Sequence, residues 1–215
     1  IRQKRKKALQ LCDDYLRSVF LDMFGDPVSN PKGLPIGILE DIAIINMGQS
    51  PDGRSYNDRG QGIPLLNGPV EFGAKYPVER QWTSQPTKLC KKGDILFCVR
   101  GATAGRMNLS DKEYCIGRGL AAISEKKSNY LEYIFFVLRH NYNHFQTTSN
   151  GSTFINISKD QINNLKIIIP DKKMIKVFSN VSKKTEELKT KMQTQLEEAE
   201  NLFASLMQGA FRGEM

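Results

Sequence analysis

The residues best equipped for chemistry in this chain are donors and acceptors suited to a polyanion. Gly48-Gln49-Ser50-Pro51-Asp52-Gly53-Arg54-Ser55-Tyr56-Asn57-Asp58-Arg59-Gly60 is polar and glycine-rich, which predicts a loop, and it is long enough to be functional. Arginine can bridge guanine O6 and N7, and glutamine or asparagine can bridge adenine N6 and N7. Gln49, Ser50, Arg54, Tyr56, Asn57 and Arg59 are therefore a set suited both to base edges and to phosphates. Lys75 and Arg80 sit in a second polar connection, and Arg100, Arg106 and Arg118 fall at expected strand ends. Asn150, Ser152 and Thr153 surround Gly151, whose missing side chain would admit a close approach to a backbone. Each of these residues alone also fits an ordinary solvated surface position, and Arg100 and Arg106 also fit a bracing role. The loop 49–60 as a set carries the reading.

Catalytic alternatives find less support. Asp94 with Glu125-Lys126-Lys127 has a loose version of the carboxylate-and-lysine spacing of a metal-dependent nuclease, but acidic residues followed by lysines are common on surfaces. His140 and His144 lie four apart on an expected helix, as zinc ligands can, with no third ligand in a matching pattern. Asn30-Pro31-Lys32-Gly33 is only a fragment of a methyltransferase motif, and no glycine-rich cofactor loop follows a strand. With two histidines and no legible Ser/His/Asp arrangement, the chain reads as non-catalytic, with no cofactor or metal of its own.

The bulk properties agree with binding. Over 215 residues the formal net charge is +8, which favours a polyanionic partner because Lys and Arg displace condensed counterions from phosphates. The 40% hydrophobic content suits a globular protein with one good core. Cys12, Cys90, Cys98 and Cys115 show no C-x-x-C spacing and lie mostly in apolar runs, as reduced core cysteines of a cytoplasmic protein do. No run approaches the ~18 apolar residues of a membrane span, and the basic start lacks a signal peptide's apolar stretch. A rival reading consistent with these properties is a coiled-coil interaction module whose basic charge is incidental.

The elements that must hold the loop divide the chain into three parts. Residues 1–26 form a helix with Ala8, Leu9, Cys12, Leu16, Val19, Phe20 and Met23 on one face, stopped by Gly25-Asp26-Pro27. Residues 27–170 form a mixed, β-rich domain. It opens with a proline-rich linker and has strands expected near 36–47, 63–66, 89–90, 94–99, 115–123, 154–157 and 165–169. In the fifth of these, Gly117-Arg118-Gly119 suggests a bulge. The domain also contains a helix over 129–145 and a Ser158–Gln161 capping box. Residues 171–215 form a long helix from a cap at Asp171 to Gly209, roughly 55 Å at 1.5 Å per residue. Its heptads place Phe178, Thr185, Met192, Ala199 and Leu206 on one seam and Val181, Leu188, Gln195 and Leu202 on the other. The fold class is α+β, with a β-rich domain between long coiled-coil-type helices.

The two ends also repeat. Asp13 aligns with Glu200, Tyr15 with Leu202, Leu16 with Phe203, Ser18 with Ser205, Val19 with Leu206 and Phe24 with Phe211, and Gly25-Asp26 falls on Gly213-Glu214 after a one-residue shift. Any two amphipathic helices can align comparably. The seam of Val181, Leu188, Met192, Ala199, Leu202 and Leu206 suits either a second copy of the chain or its own N-terminal helix.

Leu89-Cys90-Lys91-Lys92-Gly93-Asp94-Ile95-Leu96-Phe97, with Arg100-Gly101 and Gly105-Arg106, resembles the central motif of target recognition domains in specificity subunits of type I restriction-modification systems. Gly48-Gln49-Ser50-Pro51 with Ile63-Pro64-Leu65 resembles that family's opening, and Asn156-Ile157-Ser158 through Leu165-Lys166-Ile167-Ile168-Ile169-Pro170 resembles its closing. Leu16-Arg17-Ser18-Val19-Phe20 with Met23-Phe24-Gly25-Asp26 resembles the end of its spacer helix. The resemblance implies two recognition domains separated by antiparallel helices, each domain reading half of a split double-stranded DNA site. It also implies a methylation subunit that carries S-adenosylmethionine and a restriction subunit that uses ATP and Mg²⁺. This chain departs from that pattern in having one domain between two helices, so it is a half subunit: either a fragment or one partner of a symmetric pair.

Overall fold

The computed structural model describes residues 2–147 and 155–211. Asn150, Ser152 and Thr153 lie outside the described residues, as does the 213–214 end of the repeat. Helix α1 (Arg2–Phe24) leads into strand β1 (Ile36–Ile38), a 3-10 turn (Leu39–Asp41), β2 (Ala43–Met47), a second 3-10 turn (Gly53–Ser55), β3 (Tyr56–Asn57) and β4 (Ile63–Leu66). A third 3-10 turn (Pro69–Glu71) precedes β5 (Trp82–Thr83), β6 (Leu89–Cys90), β7 (Ile95–Cys98), β8 (Met107–Leu109), β9 (Tyr114–Ile116) and β10 (Leu120–Glu125). Helices α2 (Leu131–His140), α3 (Tyr142–Thr147) and α4 (Lys159–Asn163), strand β11 (Lys166–Ile168) and helix α5 (Lys172–Phe211) complete the chain. The α+β expectation holds. Among the described residues no helix is long and apolar enough to cross a membrane.

The domain is built around an antiparallel sheet in the order β2-β10-β7-β8. Both faces of its central strands are covered, and residues alternate between two cores. Ile95, Phe97, Ala121 and Ile123 face a core shared with the helices, while Leu96, Cys98, Leu120 and Ala122 face a second core with Leu66, Tyr114 and Ile116 of the five-stranded sheet β3-β5-β4-β9-β6. The four cysteines are buried and free; burial pushes the Cys90 thiol up to about 12.

Three expected elements are corrected. Gly117-Arg118-Gly119 is a crossover rather than a bulge: β9 pairs with β4 and β6, β10 with β2 and β7, and the two glycines let the backbone cross beside Asn67. The single helix over 129–145 is two, divided at buried Asn141, whose backbone N and Nδ2 both donate to the Val137 carbonyl. The expected strand at 154–157 reduces, among the described residues, to an isolated bridge between Asn156 and Arg100. By contrast, Ser158 and Gln161 exchange both capping bonds, and Asp171 accepts from the Met174 amide at 2.8 Å.

Helix α1 packs on α5, and the ring cluster Phe20, Phe24, Tyr133, Phe136 and Phe178 joins both to α2, with centroids 4.9–5.8 Å apart. Such pairs add about 0.5–1.5 kcal/mol each beyond area burial. On α5 the buried positions are Ile175, Phe178, Ser179, Ser182, Thr185 and Leu196, with Lys189, Met192 and Ala199 half-buried between and beyond them. One predicted seam is therefore in register. The other is displaced by one residue at Leu188 and Gln195, to Lys189 and Leu196, and Val181 is half-buried beside buried Ser182. Leu188, Leu202 and Leu206 are exposed. Thr185 sits on the buried face at little cost because its hydroxyl donates to the Val181 carbonyl at 2.9 Å. Helix α5 also continues through Gly209 to Phe211 instead of stopping there.

A polar chain ties α1, α5 and the domain together. Lys189 contacts Asp13 at 2.7 Å and Glu186 at 3.1 Å, and Glu186 accepts from Lys75 at 2.9 Å. Burial pushes the Glu186 carboxyl up, but hydrogen bonds from Lys75 and Lys189 outweigh it and leave the group below its ordinary 4.5. A carboxylate held low in the fold stabilises it above the ordinary value, and that contribution is lost as pH falls through the folded value. Glu186→Gln is therefore expected to lower the urea midpoint at pH 7 modestly, by at most about 1 kcal/mol for pairs this exposed, with the deficit closing below pH 4.5. A deficit as large at pH 3 as at pH 7 would show that the ion pairs do not supply it.

Candidate nucleic-acid interface

The sheet register brings four chain segments to one edge. Met47 pairs with Ala121, Leu120 with Cys98, and Phe97 with Met107, so the chain leaving β2 and β7 and the chain entering β10 and β8 share an end of the sheet. That end carries Gln49 and Ser50 after β2, Arg118 before β10, Arg100 after β7 and Arg106 before β8. All are exposed except half-buried Ser50.

Backbone bonds fix these segments. Gly48 N donates to Leu120 O and Gln49 N to Ile116 O, each at 2.9 Å; Val99 N donates to Gly119 O at 2.9 Å, and Cys98 N to Arg106 O at 2.9 Å. Ser50 Oγ accepts from Arg118 N at 3.2 Å, and the Thr87 hydroxyl donates to the Gln49 carbonyl. The Asn156 bridge to Arg100, with Gly101 N donating to Ile155 O at 2.9 Å, adds a fifth segment. The result is a rim of three arginines and a glutamine on rigid strand ends, where side chains are held more precisely than on free loops.

The loop 49–60 is more ordered than a loop reading implies. Asp52 caps the 3-10 turn by accepting from Arg54 N at 3.0 Å, and Ser55 Oγ meets Thr83 Oγ1 of β5 at 2.7 Å in a buried contact. Tyr56 donates its hydroxyl to Pro51 O at 3.2 Å. Asn57 accepts from Arg59 N and Gln61 N and donates to Gln61 O, so its amide holds the turn around Gly60. Tyr56 and Asn57 thus brace the loop, while Gln49, Arg54 and Arg59 face outward. Arg54 forms a bidentate pair with Asp52, closest approach 2.6 Å, and that hydrogen bond holds the exposed Asp52 carboxyl below its usual range.

Other proposed residues are placed differently. Arg80 is exposed immediately before Gln81, whose side chain accepts from Asn67 beside the rim at 3.0 Å. Lys75 is not brought to the rim. Its carbonyl accepts from Leu109 N at the far end of β8, and its ammonium is engaged by Glu186. At 3.3 Å per residue this is about 10–15 Å from the rim. Asn156, Thr87 and Asn67 are rim neighbours absent from the sequence-based set; their signal lies in strand register, which the sequence alone does not display.

Asp94, Glu125 and His140 make contacts that serve the fold, while the His144 side chain lies outside the described residues. Asp94 accepts from Lys91 N at 2.7 Å and from Ser124 Oγ at 2.6 Å, and Glu125 accepts from Leu131 N at 2.8 Å. His140 meets Asp26 at 3.2 Å; the Ser29 amide is the main reason that the Asp26 carboxyl lies below its usual range. Among the described residues no group of three or more His, Cys, Asp or Glu side chains could hold a metal ion.

A rigid, arginine-bearing rim beside an outward-facing loop is the layout of a nucleic-acid interface. Over residues 36–198 the chain matches the family described as the type I restriction modification DNA specificity domain, and it belongs to that family. The type I restriction enzyme MjaX specificity subunit of Methanocaldococcus jannaschii is 35% identical over 169 residues, which cover 76% of this chain and 39% of that protein. The crystal structure of the HsdS subunit from Thermoanaerobacter tengcongensis is similar with a TM-score of 0.69 at 26% identity, over 100% of this chain and 54% of that one. A chain from work on complex assembly and conformational transition of the type I R-M system gives a TM-score of 0.56 at 26% identity, over 99% and 56% of the respective chains. The chain spans about half, or less, of the length of these relatives.

Gly48 is the joint of the rim. A Cβ there would lie 2.7 Å from Leu120 O and 2.8 Å from Ile116 O, and closer still to Gly117 O, all of them backbone atoms that cannot step aside singly. Gly48→Ala is expected to destabilise by about 1–3 kcal/mol, the usual cost of overpacking, read as a lowered urea midpoint. An unchanged midpoint would mean that β2 and β10 are not held this closely.

Proposed function

We propose that this chain is a sequence-specific, non-catalytic DNA-recognition unit of a type I restriction-modification enzyme, acting in the cytoplasm. Its domain reads one half of a split double-stranded site through the rim of Gln49, Arg100, Arg106 and Arg118 and the outward residues of the loop 49–60. Helices α1 and α5 serve as spacer and as docking surface for the methylation subunit, with exposed Lys183, Lys184, Glu187 and Lys191 on the outer face of α5. S-adenosylmethionine belongs to that methylation subunit, and ATP with Mg²⁺ to the restriction subunit. The observation that carries the reading is the convergence of three exposed arginines and Gln49 on one sheet edge, in a chain of a DNA specificity family. The coiled-coil module with incidental charge predicts no such convergence.

Selection from a randomised duplex pool at low salt tests it. The isolated chain is expected to bind weakly and to enrich a few positions. Gln49→Ala is expected to relax one of those positions by about 1–3 kcal/mol of discrimination, as loss of a bidentate base contact does. Binding without enrichment at any position would overturn sequence recognition.

A second recognition domain completes the unit. Asp13 meets Lys189 and Phe24 meets Phe178, so α1 runs antiparallel to α5 and, starting at Arg2, reaches to about residue 200. Beyond it Leu202, Phe203, Leu206 and Met207 are exposed. The repeat sets Phe203 on buried Leu16 and Met207 on Phe20, which packs on Tyr133 and Phe136 of this domain, so the α5 end is suited to a second domain of the same kind. In a symmetric half subunit a second copy supplies it. Light scattering across a concentration series is expected to give twice the chain mass, and Leu202→Glu with Leu206→Glu to return the monomer. A monomer at every concentration rules out self-pairing.

A further inference from the structure

Beside the rim, the 104–107 segment and helices α2 and α3 border an open groove of about 410 Å³, lined by Gly105, Arg106, Met107, Phe135, Arg139 and Tyr142. Phe135, Arg139 and Tyr142 are spaced at i, i+4 and i+7, one face of a helical path that the break at Asn141 barely interrupts. Gly105, at φ 86°, brings the backbone against Tyr142: a Cβ there would lie 3.0 Å from the ring. Gln146 Nε2 donates to the Ala104 carbonyl and holds α3 on the same turn. The groove is therefore walled by fixed elements.

Its chemistry is one-sided. Arg106 and Arg139 are exposed, no carboxylate is among the lining residues, and neither guanidinium takes part in an ion pair among the described residues. Arg54 by comparison is neutralised by Asp52 and Lys75 by Glu186. Phe135, Met107 and Tyr142 offer apolar surface beside the two cations, a combination that fits a phosphate attached to a sugar better than a free small anion. Arg106 belongs to the groove and to the rim at once, so a strand whose bases meet the rim would have its flanking backbone carried into the groove.

We propose that this groove holds one backbone phosphate of the DNA strand flanking the half site, with Arg106 and Arg139 donating to its non-bridging oxygens and the sugar resting on Phe135 and Met107. Arg139 thereby becomes a binding residue, one that positions DNA without reading it. The inference rests on the DNA-recognition reading above and extends the footprint from the sheet edge around to α2.

The test is titration of the full chain, as wild type, Arg139→Ala, Arg139→Lys and Arg118→Ala, with an enriched duplex and an unrelated duplex over a range of salt. Arg139→Ala is expected to weaken binding about five- to tenfold on both duplexes alike and to reduce the slope of log K against log salt by about 1, while Arg139→Lys keeps most of the slope. An unchanged urea midpoint, expected for so exposed a side chain, separates this from unfolding. If Arg139→Ala leaves affinity and slope intact while Arg118→Ala weakens binding, the groove proposal is wrong and the DNA reading stands. If wild type binds neither duplex, both fall. A change in base preference would make Arg139 a reader of sequence. Unchanged DNA binding with lost capture of the methylation subunit would make the groove a protein interface. Either result overturns the phosphate assignment.

Discussion

Much of this molecule depends on five aromatic rings. Phe20 and Phe24 at the end of α1, Tyr133 and Phe136 on α2, and Phe178 in the second turn of α5 form one connected cluster, and no two of the three helices are neighbours in sequence. The helix pair and the domain thus share a single core. The same α2 that presents Tyr133 to the helices presents Ile134, Val137 and Leu138 to the sheet whose far edge is the rim. The orientation of the rim relative to the long axis of α5 is therefore set by packing, with the Asp13–Lys189–Glu186–Lys75 chain as a second tie. For the proposed reading of half of a split site that rigidity matters, because the spacing between half sites would be transmitted through the helix.

The division of labour among polar residues follows from where their partners are. Asn57, Tyr56, Asp52 and Ser55 have partners within the loop or on β5, so their hydrogen-bonding capacity goes to loop shape. Arg100, Arg106 and Arg118 stand at strand ends whose backbone groups are already paired, which leaves the side chains to face outward on a fixed base. A bound strand would not have to order them first, and binding to a preorganised surface loses less conformational entropy.

What the sequence discloses, and what it conceals, follows the same physics. The capping box at Ser158, the cap at Asp171 and the boundary of α1 were legible because they depend on neighbours three or four residues away. The second seam of α5 reads one residue early in the sequence because Val181 and Leu188 are apolar, whereas Ser182 and Lys189 are polar. In the fold Ser182 is buried, and Lys189 is held by two carboxylates. The crossover at Gly117–Gly119 reads as a bulge for a related reason. The apolar run continues through it, and only the approach of Asn67, some fifty residues distant in sequence, explains the glycines. Lys75 reads as DNA-facing in the sequence because its partner Glu186 is invisible until α5 is folded back along the domain.

The exposed apolar end of α5 is the complement of the aromatic cluster. Phe20 and Phe24 are buried in the core that the domain forms over them; Met207, the counterpart of Phe20 in the repeat, and Phe203, the counterpart of buried Leu16, are exposed. A repeat conserves chemistry as well as length, so the surface that suits the first set suits the second. That surface is the face formed by α2 and the start of α5, which every domain of this kind would present. In the proposed symmetric pair each helix end would meet a domain, and each domain two helix ends. On that proposal one domain with two helices is half of a self-complementary arrangement. A twofold axis relating two such halves would place two rims on DNA in opposite orientations, which is the symmetry of a palindromic split site.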